Sequence, residues 1–141
     1  DAANTVANSN LAQMPTNTIK GNALGITGDA DDLTAAEAMT VLGFAMTQAT
    51  NGSVTIPNPS GGTALIVKWG FETTTTAVSF SASFPTAILV VFATARNPTT
   101  APAICPTKST TVSGFTATPQ QWDGSAWVAS TQGYNWLAIG Y

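Results

Sequence analysis

The pattern of hydrophobic and polar positions predicts mostly β-structure in the C-terminal two thirds of the chain. Short apolar segments recur there, each bounded by Gly, Pro or Asn, as is typical of strands. We predict six strands: Thr63–Trp69, Ala77–Ala82, Ala87–Arg96, Thr111–Thr118, Ala126–Ala129 and Tyr134–Gly140. Since no long helix separates them, the pattern favours an antiparallel β-sandwich over a parallel sheet, with a closed barrel as the alternative.

Three features of these segments predict burial. The run Ala87–Phe92 is apolar on both faces, so we expect a central strand that is covered on both sides. Val78 and Phe80 are two positions apart and should share one face of their strand. Trp136 lies inside the last strand, and we predict that it belongs to the core.

The first third of the chain predicts one helix. Thr34 and Glu37 have the spacing of a capping box, strong helix formers occupy Ala35–Leu42, and Gly43 is placed to end the helix. The positions predicted to bury one stripe are Leu33, Met39, Leu42, Phe44 and Met46. Residues 4–30 show neither helical nor strand periodicity, which indicates an extended arm that packs against something else.

A change in composition near Asn51 and Gly52 divides the chain. We therefore predict an arm and helix over residues 1–50 and a β-domain over residues 51–141, with a turn or linker at residues 57–62.

Low charge predicts association. Only 8% of the residues are charged, 44% are hydrophobic, and the net charge is −3. A chain of 141 residues cannot enclose all of that apolar surface, and large exposed apolar patches favour association. An obligate homo-oligomer resolves this, whereas a monomer with a Thr-rich surface is the alternative.

The composition also excludes several kinds of chemistry. The chain has no His and one Cys, Cys105, so it lacks a histidine base, the usual zinc ligands and an internal disulfide. Its four basic residues are scattered, which argues against nucleic-acid binding. Nothing in the sequence places Glu72 and Asp123 near each other as a catalytic pair. Asp29, Asp31 and Asp32 lack the spacing of a calcium-binding loop, and these three acids suit instead the segment that leads into a helix N-terminus. We predict no catalytic residue, metal or cofactor, no signal peptide, and no membrane insertion, since the longest apolar run is too short.

Aromatic residues are concentrated near the C terminus. Trp122 and Trp127 flank a turn at Asp123, beside Gln120 and Gln121. Rings supply apolar area and amides supply hydrogen bonds, a combination that suits a sugar or a protein loop. The sequence therefore predicts that at least one of the two indoles is an exposed contact.

Two stretches resemble bacteriophage tail fibre proteins. The first is LAQMPTNTIKGN at Leu11–Asn22, which is followed by Asp32–Thr34. The second combines Phe84–Ala87, Gly114–Thr116 and the ending YNWLAIGY at Tyr134–Tyr141, which is similar to the C-terminal tip domain of such fibres. The chain also lacks the repeated His motifs with which some related fibres bind iron.

The resemblance implies a homotrimeric, non-enzymatic fibre tip that attaches a phage to its bacterial host. The expected receptor is a surface glycan (lipopolysaccharide or capsule) or an outer-membrane protein, and the expected location is the distal end of the tail fibre in the virion. We expect a piece of a longer fibre, with its closing strand in the core or along the threefold axis. We place receptor contacts in the loops Asn97–Ala101 and Gln120–Trp127, at Asn97, Thr99, Thr100, Gln120, Gln121, Trp122, Asp123 and Trp127. A polysaccharide-degrading tail protein, a purely structural trimerisation domain and a bacteriocin fibre are the alternatives.

Overall fold

The computed structural model describes residues 18–23, 25–26, 30–73, 77–96 and 101–141. The predicted contacts Asn97, Thr99 and Thr100, and most of the predicted arm, lie outside the described residues. The chain divides into two compact units, residues 1–42 and 43–141. This boundary after residue 42 precedes the division that we predicted after residue 50.

The first unit contains a small hairpin and one helix. Strands β1 (Ile19–Gly21) and β2 (Asp31–Leu33) pair antiparallel, and Lys20 forms a 2.5 Å ion pair with Asp32 across them. Helix α1 (Ala35–Val41) begins at the predicted capping box, in which the Thr34 side chain accepts from the Glu37 backbone N–H and the Glu37 carboxylate accepts from Thr34. In the described part of the chain, no helix has the length and apolar character needed to cross a bilayer.

The predicted apolar stripe of this region is not buried. Ala38 is the one buried residue of α1, whereas Met39, Leu42 and Met46 are exposed and Leu33 is half-buried. Helical spacing alone was therefore not sufficient to bury Met39 and Leu42. The acids Asp31 and Asp32 belong to strand β2, which leads directly into the N-cap Thr34 of the helix.

The second unit consists of antiparallel sheets. Its strands are β3 (Ala45–Thr47), β4 (Gly52–Ile56), β5 (Leu65–Glu72), β6 (Ala77–Ser79), β7 (Ile88–Ala95), β8 (Ala103–Ile104), β9 (Thr107–Thr111), β10 (Gly114–Ala117), β11 (Gln120–Trp122), β12 (Trp127–Ala129) and β13 (Tyr134–Gly140). They form a five-stranded sheet in the order β3-β4-β5-β13-β7 and two three-stranded sheets, β6-β10-β9 and β12-β11-β8. The chain is thus mainly β, as predicted.

The core lies between β13 and the sheet that contains β10. Tyr134, Trp136 and Ala138 alternate along the buried face of β13 and pack with Phe84 and Phe115. Val78 and Phe80 both contact this cluster, which confirms the predicted shared face, and Trp136 belongs to the core as expected. Cys105 packs against the cluster as a half-buried side chain, and burial raises the pKa of its thiol.

The prediction that Ala87–Phe92 forms a central strand covered on both sides is wrong. Strand β7 is at the edge of the five-stranded sheet, beside β13. The side chains of Leu89 and Phe92 are 60% and 59% exposed. Apolar residues on both faces of a strand indicate that both faces avoid water. They do not indicate whether the same chain or another molecule covers each face.

The predicted strand Thr111–Thr118 is a hairpin. Strands β9 and β10 pair with each other, and the chain turns between Thr111 and Gly114. A Cβ atom on Gly114 would lie 2.0 Å from the Val78 carbonyl oxygen, so only glycine fits where β10 pairs with β6. Sequence analysis also missed β3, β4, β8 and β11, which are short or lack clear alternation.

Candidate functional site

The exposed face of the β12-β11-β8 sheet carries the two indoles that the sequence singled out. Trp122 and Trp127 are directly opposite in the antiparallel register of β11 and β12. Their ring centroids are 5.7 Å apart and the ring planes meet at 67°, an edge-to-face contact. The side chains remain 37% and 42% exposed, so the pair offers both an aromatic face and an aromatic edge to solvent.

A tight turn holds the two strands that present this pair. Asp123 Oδ1 accepts from the backbone N–H groups of Ser125 and Ala126, both at 2.8 Å, and from the Ser125 hydroxyl at 2.9 Å. These hydrogen bonds hold the pKa of the Asp123 carboxyl below its usual range. Gly124 has a φ of +107°, which favours glycine. Asp123 therefore has a structural role that fixes the spacing of the indoles.

The register separates the two predicted glutamines. Gln120 pairs with Ala129, two positions from the Trp122–Trp127 pair, so it shares their face of the sheet. Gln121 pairs with Val128 and lies on the opposite, half-buried face. The structure thus brings Gln120 together with the indoles and places Gln121 away from them.

Sequence analysis missed one residue of this face. Ile104 pairs with Gln120 across β8 and β11, and its side chain is 40% exposed. An exposed isoleucine in a two-residue strand gives no local signal, because its position depends on pairing with a strand 16 residues later. We call the surface formed by Ile104, Gln120, Trp122, Trp127 and Ala129 the indole face.

The side chains of the indole face suit non-covalent contact. It combines rings, one amide and aliphatic carbon, and its neutral side chains include no acid or base. Glu72 belongs to the five-stranded sheet and Asp123 to the turn, so the two acids that the sequence considered are on different sheets. Over the described ranges, no cluster of three His, Cys, Asp or Glu residues could hold a metal ion.

A second exposed surface covers one side of the five-stranded sheet. Since Trp136 and Ala138 face the core, Leu137 and Ile139 face the other side together with their cross-strand partners. We call this surface the outer face, and it comprises Met46, Val54, Ile56, Leu65, Val67, Trp69, Val90, Phe92, Leu137 and Ile139. Five strands present these ten apolar side chains side by side, and the same face continues at one end into Phe71, Thr94, Asn135 and Arg96.

The size of the outer face is that of a protein interface. The five strands are about 4.8 Å apart and average about six residues, so they cover roughly 500 Å² in projection. The residues of this face nearest its margins are the most accessible, with Met46 60% and Phe92 59% exposed. A standard interface buries about 800 Å² on each partner, so this single patch supplies most of one.

The C-terminal part of the sequence matches a known protein family. The family model for the C-terminal domain of gp53-like tail fiber proteins matches residues 57–141. No curated protein sequence matches the chain.

Solved pyocin fibres have a similar fold. A C-terminal fragment of the R1 pyocin fibre of P. aeruginosa is 20% identical, with a TM-score of 0.52 over 96% of this chain and 42% of that one. An N-truncated R2-type pyocin tail fibre is 18% identical, with a TM-score of 0.53 over 94% of this chain and 58% of that one. A C-terminal fragment of the R2 pyocin fibre of P. aeruginosa gives the same TM-score and identity over 96% of this chain and 40% of that one. The chain therefore covers between 40% and 58% of the length of these fibre fragments.

Proposed function

The chain belongs to the family of gp53-like tail fibre C-terminal domains, and from this premise we propose that it is the receptor-binding tip of a phage or pyocin-type tail fibre. It is the part of the particle that contacts the bacterial surface, at the distal end of the fibre. Its receptor is a surface glycan or an outer-membrane protein, and it binds without catalysis.

The observation that carries receptor binding is the exposed indole pair. Two large aromatic side chains held in a fixed geometry on a short, exposed sheet would be unfavourable without a partner, and tryptophan is enriched at binding hot spots. The neighbouring amide of Gln120 supplies the hydrogen bonds that orient a sugar or a loop. Of the predicted contacts, Gln120, Trp122 and Trp127 form the proposed site, and Asp123 supports it through the turn.

The outer face supports a homotrimer. Its ten apolar residues come from five adjacent strands, and the one described charge beside them, Arg96, stacks on the Phe71 ring at the end of the face. We assign a second copy of the chain as its cover, because a nearly uncharged protein offers little charge for recognising a different partner and because the area approaches that of a stable interface. In the proposed trimer, each subunit is a sandwich head whose two layers are the five-stranded sheet and the sheet that contains β10.

The receptor proposal is tested with the double variant Trp122→Ala/Trp127→Ala. A fluorescent form of the full chain is incubated with bacterial strains and their envelope mutants, and cell-associated fluorescence is measured. The double variant should lose binding at least tenfold, since each truncated hot-spot residue contributes about 2 kcal/mol or more. Gln121→Ala is the matched control, because it alters the other face of the same strand and should bind normally.

Three results would contradict this proposal in different ways. Normal binding by the double variant means that the indole face is not the site. No binding by the unaltered chain to any strain favours a purely structural trimerisation domain. Shortening of purified host glycan by the chain favours a depolymerase.

The assembly proposal is tested by sedimentation. The unaltered chain should sediment as a trimer, and Phe92→Asp should dissociate it because a carboxylate cannot be buried there without a partner. Thr110→Asp, on an exposed position of β9, adds the same charge and should leave the trimer intact. A monomeric unaltered chain at micromolar concentration refutes the assembly.

A further inference from the structure

A cavity of about 160 Å³ lies beside the inner side of β5, at the segment that follows β6. It shares no residue with the indole face. Its lining contains polar groups of several kinds and aromatic rings, among them Lys68, Glu72, Ser79, Phe80, Ser81 and Trp136, and it is completed by Asn51, Gly52 and Trp69.

Trp136 contributes a donor without an acceptor. Its side chain is only 7% exposed, and Nε1 is buried with no hydrogen-bond partner among the described residues. A buried N–H that is left unpaired is rare in native proteins and unfavourable. Because Trp136 lines the cavity, an acceptor on a bound molecule can satisfy this group.

Lys68 contributes a buried cation with spare donors. The side chain is 6% exposed, and its ammonium lies 5.0 Å from the Phe84 ring centroid and 5.6 Å from that of Phe80. It donates to the Ala82 carbonyl oxygen, which uses one of its three N–H groups. None of the described carboxylates forms an ion pair with it.

Glu72 and two serines complete the set with acceptors. Glu72 is on the same face of β5 as Lys68, because the two are four positions apart along the strand. Its carboxylate accepts hydrogen bonds only, whereas the hydroxyls of Ser79 and Ser81 both donate and accept. The carboxylate disfavours an anionic ligand, so an uncharged molecule rich in hydroxyl groups suits this combination best.

We propose that this cavity binds a single neutral sugar ring or a polyol of similar size, with the Trp136 N–H and Lys68 ammonium donating to its oxygens and Glu72 accepting from its hydroxyls. The Phe80 ring offers a surface for the apolar C–H groups of such a ring. The volume holds about five waters, which limits the ligand to one ring. This site does not depend on whether the indole face binds the receptor.

The test uses the indole N–H signals of the 15N-labelled full chain. The chain has four tryptophans, and Trp136→Phe identifies the signal of Trp136. Methyl pyranosides of glucose, galactose and mannose are titrated one by one to about 100 mM. We expect a saturable shift of the Trp136 signal with at least one of them, and the same shift in the Trp122→Ala/Trp127→Ala double variant.

Glu72→Gln is the variant that probes the proposed role while preserving shape. Loss of a charged acceptor should weaken the pyranoside about tenfold or more. Gln121→Ala is the control and should bind unchanged. If Trp136→Phe does not fold, assignment by through-bond NMR in the unaltered chain replaces it.

Several outcomes would overturn the proposal. One is a Trp136 signal that does not move with any of the three pyranosides. A second is a shift produced by inorganic phosphate or acetate but not by the pyranosides, which would make the cavity an anion site. A third is a pyranoside shift confined to the Trp122 and Trp127 signals, which would leave the receptor proposal in place and refute this one.

Discussion

Tyr134 should make the fold sensitive to alkaline pH. Its side chain is fully buried in the core, and burial, with smaller contributions from the nearby charges of Glu72 and Cys105, raises its pKa to about 12 from an ordinary value of 10. The unfolded chain therefore releases this proton near pH 10, while the folded chain keeps it until about pH 12. In that window the unfolded state binds fewer protons, so the free energy of unfolding falls as pH rises.

The size of the effect follows from the difference of about two pKa units. At about 1.4 kcal/mol for each unit, Tyr134 should remove roughly 2–3 kcal/mol of stability between pH 10 and pH 12, and nothing below pH 9. That is a large part of the stability of an ordinary domain. Tyr134→Phe eliminates the titrating group, so its stability should fall less steeply across the same window.

Two measurements check this prediction. The first is urea unfolding of both proteins at fixed concentration from pH 8 to pH 12, followed by tryptophan fluorescence. The second uses Tyr141→Phe, which leaves Tyr134 as the only tyrosine of the chain, so that phenolate absorbance reports this residue alone. Glu72→Gln should lower the midpoint, because it removes one of the nearby negative charges.

Two results would refute the reasoning. One is phenolate absorbance that rises near pH 10 in Tyr141→Phe while circular dichroism shows an intact fold. The other is a Tyr134→Phe protein whose free energy of unfolding falls with pH as steeply as that of the unaltered chain. The effect of Lys68 is common to both proteins and cancels in the comparison.

Three further predictions concern stability. Phe84 is 1% exposed, so Phe84→Ala should lower the free energy of unfolding by about 3–5 kcal/mol in urea titrations. The loss for Phe92→Ala should instead depend on protein concentration, because Phe92 is covered by another copy of the chain in the proposed trimer. Equal losses that do not depend on concentration would contradict this. Gly70→Ala should lower the melting temperature, because the added Cβ would lie 2.4 Å from Trp136 Cζ2, and an unchanged melting temperature would show that the indole moves freely. Thr34→Ala should speed amide hydrogen exchange in α1 by about fivefold, which corresponds to about 1 kcal/mol, and unchanged exchange would mean that the cap does not stabilise the helix.

Local patterns were sufficient wherever a few consecutive residues determine the backbone. The helix begins at the capping box of Thr34 and Glu37, because the two side chains satisfy each other's backbone N–H groups without help from the rest of the fold. Strand β13 has the predicted bounds, and the turn after Trp122 forms as Asp123 and Gly124 predict. In the helix cap and in the turn, the residues that interact lie within four positions of each other. In β13, the alternation of buried and less buried side chains runs along the whole strand.

Patterns of hydrophobicity did not determine which surface covers a strand. Ala87–Phe92 is apolar throughout, and from the sequence we inferred cover within one chain. The structure places β7 at the edge of the sheet, with Phe92 on the outer face. A hydrophobic side chain avoids water equally well in its own core or against another copy, so the sequence alone does not distinguish the two.

The sequence by itself determined that the chain is mainly β, that a helix precedes the sheets of the second unit, and that Trp122 and Trp127 flank a turn. Only the tertiary structure decided that Gln120 and Ile104 join the indoles while Gln121 does not, and that the indole of Trp136 and the ammonium of Lys68 line one cavity. The physical reason is range. Backbone conformation follows from neighbours in sequence, whereas the composition of a surface or cavity follows from strand pairing between distant segments, which the folded chain selects by total burial and hydrogen bonding.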